Sequence, residues 1–105
     1  MRFADKICLV TGGGSGIGRA TCLRMAAEGG TSIIVDRDRR AGEETVEMIR
    51  KADGEALFIE TDVGYPDQIK ACVDKVIEKH GRIDVLVNNA AMMTFDPITE
   101  LEIEH

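Results

Sequence analysis

The sequence predicts an α/β fold, a doubly wound parallel sheet whose strands run in the order 3-2-1-4. Three observations predict it. Short apolar runs alternate with stretches of helical periodicity along the chain. A glycine-rich turn joins the first apolar run to the first helical stretch. Polar residues, Asp36, Asp62 and Asn88, follow the later runs. A βαβαβαβ alternation calls for a parallel sheet with helices on both faces. Right-handed crossovers with a switch point beside the first strand give that strand order. The ligand crevice then lies at the carboxyl ends of strands one and four, where the glycine turn and Asn88-Asn89 emerge.

The elements follow in order. Ile7 to Val10 reads as a buried strand. Gly18, Cys22, Met25, Ala26 and Gly29 recur on one helical face, and Gly29-Gly30 caps that helix. Ser32 to Val35 is the second strand. Asp38 suits the N-cap of a helix that turns Val46 and Ile49 inward and stops near Asp53-Gly54. Ala56 to Ile59 is the third strand. Pro66-Asp67 opens a helix with Ile69, Cys72, Val73, Val76, Ile77 and His80 on one face and Gly81 as its cap. Ile83 to Val87 is the fourth strand. Beyond it, Thr99-x-x-Glu102 reads as a capping box opening a helix with Leu101 and Ile103.

The turn Thr11-Gly12-Gly13-Gly14-Ser15-Gly16-Ile17-Gly18 is the most informative stretch. Glycines let a backbone turn sharply and approach an anion closely. Free N–H groups and the helix dipole then hold a pyrophosphate. Gly12, Gly16 and Gly18 form a G-x-x-x-G-x-G pattern, outside the G-x-G-x-x-G register. Gly13 and Gly18 have P-loop spacing. Arg19-Ala20 follows in place of Lys and Ser/Thr, so no hydroxyl is supplied for a metal and nucleotide triphosphatase chemistry is excluded.

Composition narrows the partners. The chain has 105 residues, enough for one small domain, with 44% hydrophobic and 30% charged residues. Net charge is −6 and no basic cluster is interleaved with aromatics, which argues against nucleic acid. No apolar stretch approaches membrane-spanning or signal-peptide length, so the expected location is cytoplasmic. Cys8, Cys22 and Cys72 show no metal-ligand spacing and read as small buried hydrophobes in a reducing compartment. No metal is expected.

Asp36 sits near the offset of the acid that binds an adenosine ribose. A carboxylate there accepts from the ribose hydroxyls and repels a 2′-phosphate, favouring NAD over NADP. Arg37, Arg39 and Arg40 follow and are able to pair with a phosphate. Asp62 can accept from an adenine amino group, and Val63 can cover the ring. Asn88-Asn89 can tie neighbouring strands or border a ligand.

Together these residues resemble the N-terminal part of the classical short-chain dehydrogenase/reductase family. The matching pieces are Thr11-Gly12-x-x-x-Gly16-Ile17-Gly18, Asp36, Asp62-Val63 and Asn88-Asn89-Ala90. The resemblance implies a Rossmann-like sheet that binds NAD. Gly12, Gly16, Ile17 and Gly18 would surround the pyrophosphate. Asp36 would bind the adenine ribose, with Arg37 beside it. Asp62 and Val63 would contact adenine, and Asn88, Asn89 and Ala90 would border the cofactor. NADP-preferring relatives often carry a basic residue where this chain has Ser15, which again favours NAD. Ala91 departs from the family's usual Gly.

The family's catalytic groups, a Ser and a Tyr-x-x-x-Lys pair, are not among these residues. Tyr65 is the one tyrosine, and Ile69 stands four places on. No catalytic residue is therefore expected within the chain. Residues 1–105 read as a single NAD-binding domain, truncated before the rest of its sheet. The longer enzyme would move hydride between nicotinamide and a small alcohol or ketone. The alternative is a non-catalytic dinucleotide-binding or interaction module, and a homo-oligomer is left open.

Overall fold

Burial of β1 (Ile7–Thr11) at all five residues marks the centre of the sheet. The computed structural model describes residues 2–89. The capping box at Thr99 and Glu102 and the helix expected after it lie outside them, as do Ala90 and Ala91. Around β1 the elements are α1 (Gly16–Ala27), β2 (Thr31–Asp36), α2 (Arg39–Lys51), β3 (Glu55–Glu60), α3 (Pro66–His80) and β4 (Val85–Asn88). All pairings are parallel and the order is β3-β2-β1-β4, as the alternation predicts.

Side chains of a strand alternate between faces, so β1 and β2 feed two cores. Cys8, Val10 and Ile34 meet Cys22 and Met25 of α1 and Val46 and Ile49 of α2. Leu9, Ile33 and Val35 meet Cys72 and Val76 of α3 on the other face. All three cysteines are buried and free. Loss of water around the sulfur pushes the Cys8 thiol up to about 11 and Cys22 up to about 12, so both stay protonated, apolar and unreactive.

Caps fall close to their predicted positions. The Asp38 carboxylate accepts from the Ala41 N–H at 3.1 Å, which fixes the start of α2. Gly81 ends α3 in the left-handed region at φ 83°.

Two expectations shift. Ile69 and Ile77 were expected inward, yet they are 40% and 43% exposed. A helix lying on a sheet buries only the stripe that faces it, and in α3 the buried residues are Cys72 and Val76. The fourth strand starts at Val85 rather than Ile83. Asp84 donates its N–H to the Ile7 carbonyl at 2.9 Å, and its carboxylate accepts from the Ile7 N–H at 2.8 Å, so a side chain supplies the return bond there.

Candidate functional site

The glycine turn leaves β1 at Thr11 and divides into two parts. In the first part, N–H groups are spent on β2. Gly12 donates to the Val35 carbonyl at 2.7 Å, and Gly14 donates to Asp36 Oδ2 at 2.9 Å. A Cβ on Gly14 would lie 2.7 Å from that same carboxylate oxygen, so glycine is what lets the turn close onto Asp36. The sequence reading gave weight to Gly12, Gly16 and Gly18 and missed Gly14. Its pairing partner is 22 residues away, and spacing alone does not reveal it.

The second part is the start of α1. The first N–H groups of a helix have no intrahelical carbonyl. Ser15 is the N-cap and makes no side-chain cap bond, and the first turn holds no acidic residue. Gly16 and Ile17, at the positive end of the helix dipole, therefore offer their N–H groups at the crevice they line. At Gly16, φ is +55° and an added Cβ would meet nothing within 4 Å. Gly18 differs. Its Cβ would stand 2.0 Å from the Gly12 carbonyl oxygen and 2.8 Å from Asn89 Nδ2. Close packing, more than contact with the crevice, requires glycine there.

Thr11 joins the two strand ends that flank the crevice. Its hydroxyl donates to Asn88 Oδ1 at 3.0 Å and accepts from the Asn89 N–H at 2.8 Å. Thus Asn88 ties strands together, while Asn89 reaches the crevice.

A cleft of about 520 Å³ opens over these carboxyl ends, within the size range of small-molecule sites. Gly12, Ser15, Gly16, Ile17, Asp36, Arg37, Asp62, Val63 and Asn89 all line it. The sequence-predicted site residues are thus brought to one place, except Gly18 and Asn88, which do not line the cleft, and Ala90, which lies outside the described residues. Val35 and Thr61 also line the cleft and were missed. Each sits one residue before a predicted one, Val35 near the end of β2 and Thr61 just past β3. Ile17 is 77% exposed, an apolar side chain held at the cleft wall.

Asp36 is positioned from both sides. Besides the bond from Gly14, its Oδ1 accepts from the Asp38 N–H at 2.9 Å. Each carboxylate oxygen has capacity for a further donor, so the group can still accept from hydroxyls in the cleft. Asp62 is similarly occupied, with Oδ1 accepting from the Gly64 N–H at 2.9 Å. The residues fit a dinucleotide: uncapped N–H groups for phosphates, a fixed acid for a ribose, and an apolar wall.

Other candidates stand apart. Arg19, at the P-loop lysine position, donates to Thr45 Oγ1 at 2.9 Å and pairs with Glu44, joining α1 to α2. Tyr65 is 58% exposed and does not line the cleft. His80 ends α3, and its buried Nε2 has no hydrogen-bond partner among the described residues. Among the described residues no group of acidic, His and Cys side chains is arranged to hold a metal. No helix among them is long and apolar enough to cross a membrane.

Comparisons with known proteins place the chain in a family. The short-chain dehydrogenase/reductase homolog YusS of Bacillus subtilis (strain 168) is 40% identical over 103 residues, covering 97% of this chain and 94% of its own length. The crystal structure of an NAD+-bound xylitol dehydrogenase is 39% identical with a TM-score of 0.83, over 88% of this chain and 35% of that one. A metagenomic short-chain oxidoreductase in complex with NADP is 33% identical with a TM-score of 0.84, over 88% of this chain and 42% of that one. Several other curated relatives are matched over 33% to 40% of their own length. The family described as short chain dehydrogenase matches residues 6–105. The chain belongs to the short-chain dehydrogenase family.

Proposed function

We propose that residues 1–105 form the NAD(H)-binding domain of an oxidoreductase. The observation that carries this reading is the pairing of an uncapped α1 N-terminus with a doubly anchored Asp36 across one cleft. The N–H groups of Gly16 and Ile17 would take the pyrophosphate, with Gly18 packed behind them against Gly12. Asp36 would accept from the adenine ribose hydroxyls, and its fixed charge favours NAD over the 2′-phosphorylated cofactor. Arg37 would flank that ribose. Asp62 and Val63 would border adenine, and Asn89 with Ala90 would border the cofactor farther along. Bound nicotinamide supplies hydride exchange with an alcohol or ketone in the whole protein. The residues here bind and orient the cofactor.

Calorimetric titration with NAD and NADP tests the reading. Binding selective for NAD, lost in Asp36→Ala, is the expected result. Equal binding of both cofactors, or binding unaffected by Asp36→Ala, would sink the assignment of Asp36. A second reading, a dinucleotide-binding module without activity of its own, is favoured by one observation. The 105 residues hold no Tyr-x-x-x-Lys pair. Under either reading the chain mixed with NAD and an alcohol yields no NADH.

A further inference from the structure

Three arginines follow Asp36 in the sequence, and each is able to attract a 2′-phosphate. The structure treats Arg37 and Arg39 differently. Arg37 lines the cleft. Arg39 does not, and lies instead on the flank formed by α2 and β3. Its Nη2 donates to Glu60 Oε1 at 2.7 Å, and its Nη1 donates to Glu43 Oε2 at 3.3 Å. Its guanidinium also stands 6.0 Å from the centroid of the Phe58 ring. That ring is itself fixed, because it packs where a Cβ of Gly42 would be. Three partners from two elements therefore hold Arg39 over β3.

Glu60 is the short-distance partner among them, and its place is set by strand register. Asp36 and Glu60 are direct partners across the parallel β2–β3 ladder. Register partners point to the same face of a sheet, on strands about 4.8 Å apart. The two side chains therefore leave the sheet on the same face at the strand ends. One is fixed at the cleft, and the other captures the nearest arginine outside it.

We propose that Glu60 is a cofactor-selectivity residue that acts by holding Arg39 away from the ribose 2′ position. It is a positioning residue, and the proposal rests on the cofactor-binding reading given above. Asp36 repels a 2′-phosphate directly. Glu60 removes the cation that would offset that repulsion. Arg39 is the first residue of α2 and only three positions from Asp36, so its long side chain has the reach to turn either way.

The test is a calorimetric titration with NAD and NADP of the unaltered chain, Glu60→Gln, and Glu60→Gln with Arg39→Ala. Both side chains are about half exposed or more, so neither change disturbs the core. Glu60→Gln is expected to leave NAD affinity within about twofold and to tighten NADP about fivefold, the scale of one exposed ion pair. Adding Arg39→Ala should cancel that gain, and high salt should shrink it. An NADP affinity unchanged in Glu60→Gln overturns the proposal, as does a gain that survives Arg39→Ala. If the unaltered chain binds neither cofactor, the cofactor reading fails and this proposal fails with it. If it binds NAD and the ratio does not move, only the role of Glu60 fails.

Discussion

Gly16 and Gly18 belong to one motif but are glycines for different physical reasons. An alanine at Gly18 would drive its Cβ to 2.0 Å from the Gly12 carbonyl oxygen, a backbone atom that has no room to retreat. Gly18→Ala should cost about 3 kcal/mol or prevent folding, as overpacking does. Gly16→Ala meets no atom and costs only its left-handed φ of +55°, about 1–2 kcal/mol. The same change narrows the approach to the first N–H groups of α1. Urea unfolding should therefore rank Gly18→Ala as the more destabilised of the two. A folded Gly16→Ala should bind NAD more weakly than the unaltered chain. Equal stabilities would refute the division of the loop into a packed part and a ligand-facing part. The motif spacing was legible in the sequence. Gly14 was not, because the oxygen it serves arrives from β2 through tertiary packing.

At the scale of elements, β1 and β4 are joined at both ends by side chains. Thr11 binds Asn88 and Asn89 at the carboxyl end, beside the cleft. Asp84 binds the Ile7 N–H at the other end, with Arg82 Nε at 2.8 Å. The hydrogen bond from Ile7, assisted by the Arg82 guanidinium, holds the Asp84 carboxyl below its ordinary value of 3.8. A depressed folded pKa stabilises the native state above the unfolded value. That contribution is lost as pH falls below about 4 and through the folded pKa. Urea midpoints at pH 7 and pH 3 should differ less in Asp84→Asn than in the unaltered chain. An identical pH difference would show that this tie does not contribute to acid sensitivity. Strand ends were the least legible feature of the sequence. Ile83-Asp84-Val85 alternates like a strand, and only the arrival of Ile7 makes Asp84 a cap. Exposure along α3 was similarly hidden, since periodicity marks an apolar face without saying how wide its partner is.

For the whole molecule, binding and folding are linked. A ligand that binds only the folded state at 100 times its Kd adds about 2.7 kcal/mol. For a domain of this size that raises Tm by roughly 10 °C or more. Saturating NAD should produce such a shift, followed by circular dichroism, and Asp36→Ala should reduce it. No shift at saturation would mean that the cleft at the carboxyl ends of β1 and β4 does not take NAD. The sequence by itself determined the alternation of elements, the parallel sheet and its order, because apolar periodicity and right-handed crossovers leave few other arrangements. It also determined which residues emerge at the carboxyl ends of the strands. Tertiary structure alone decided that Gly14 fixes Asp36, that Gly18 packs against Asn89, and that Glu60 captures Arg39. These are contacts between residues far apart in the chain or across a strand register. Their partners are chosen by where the backbone comes together, which local spacing does not encode.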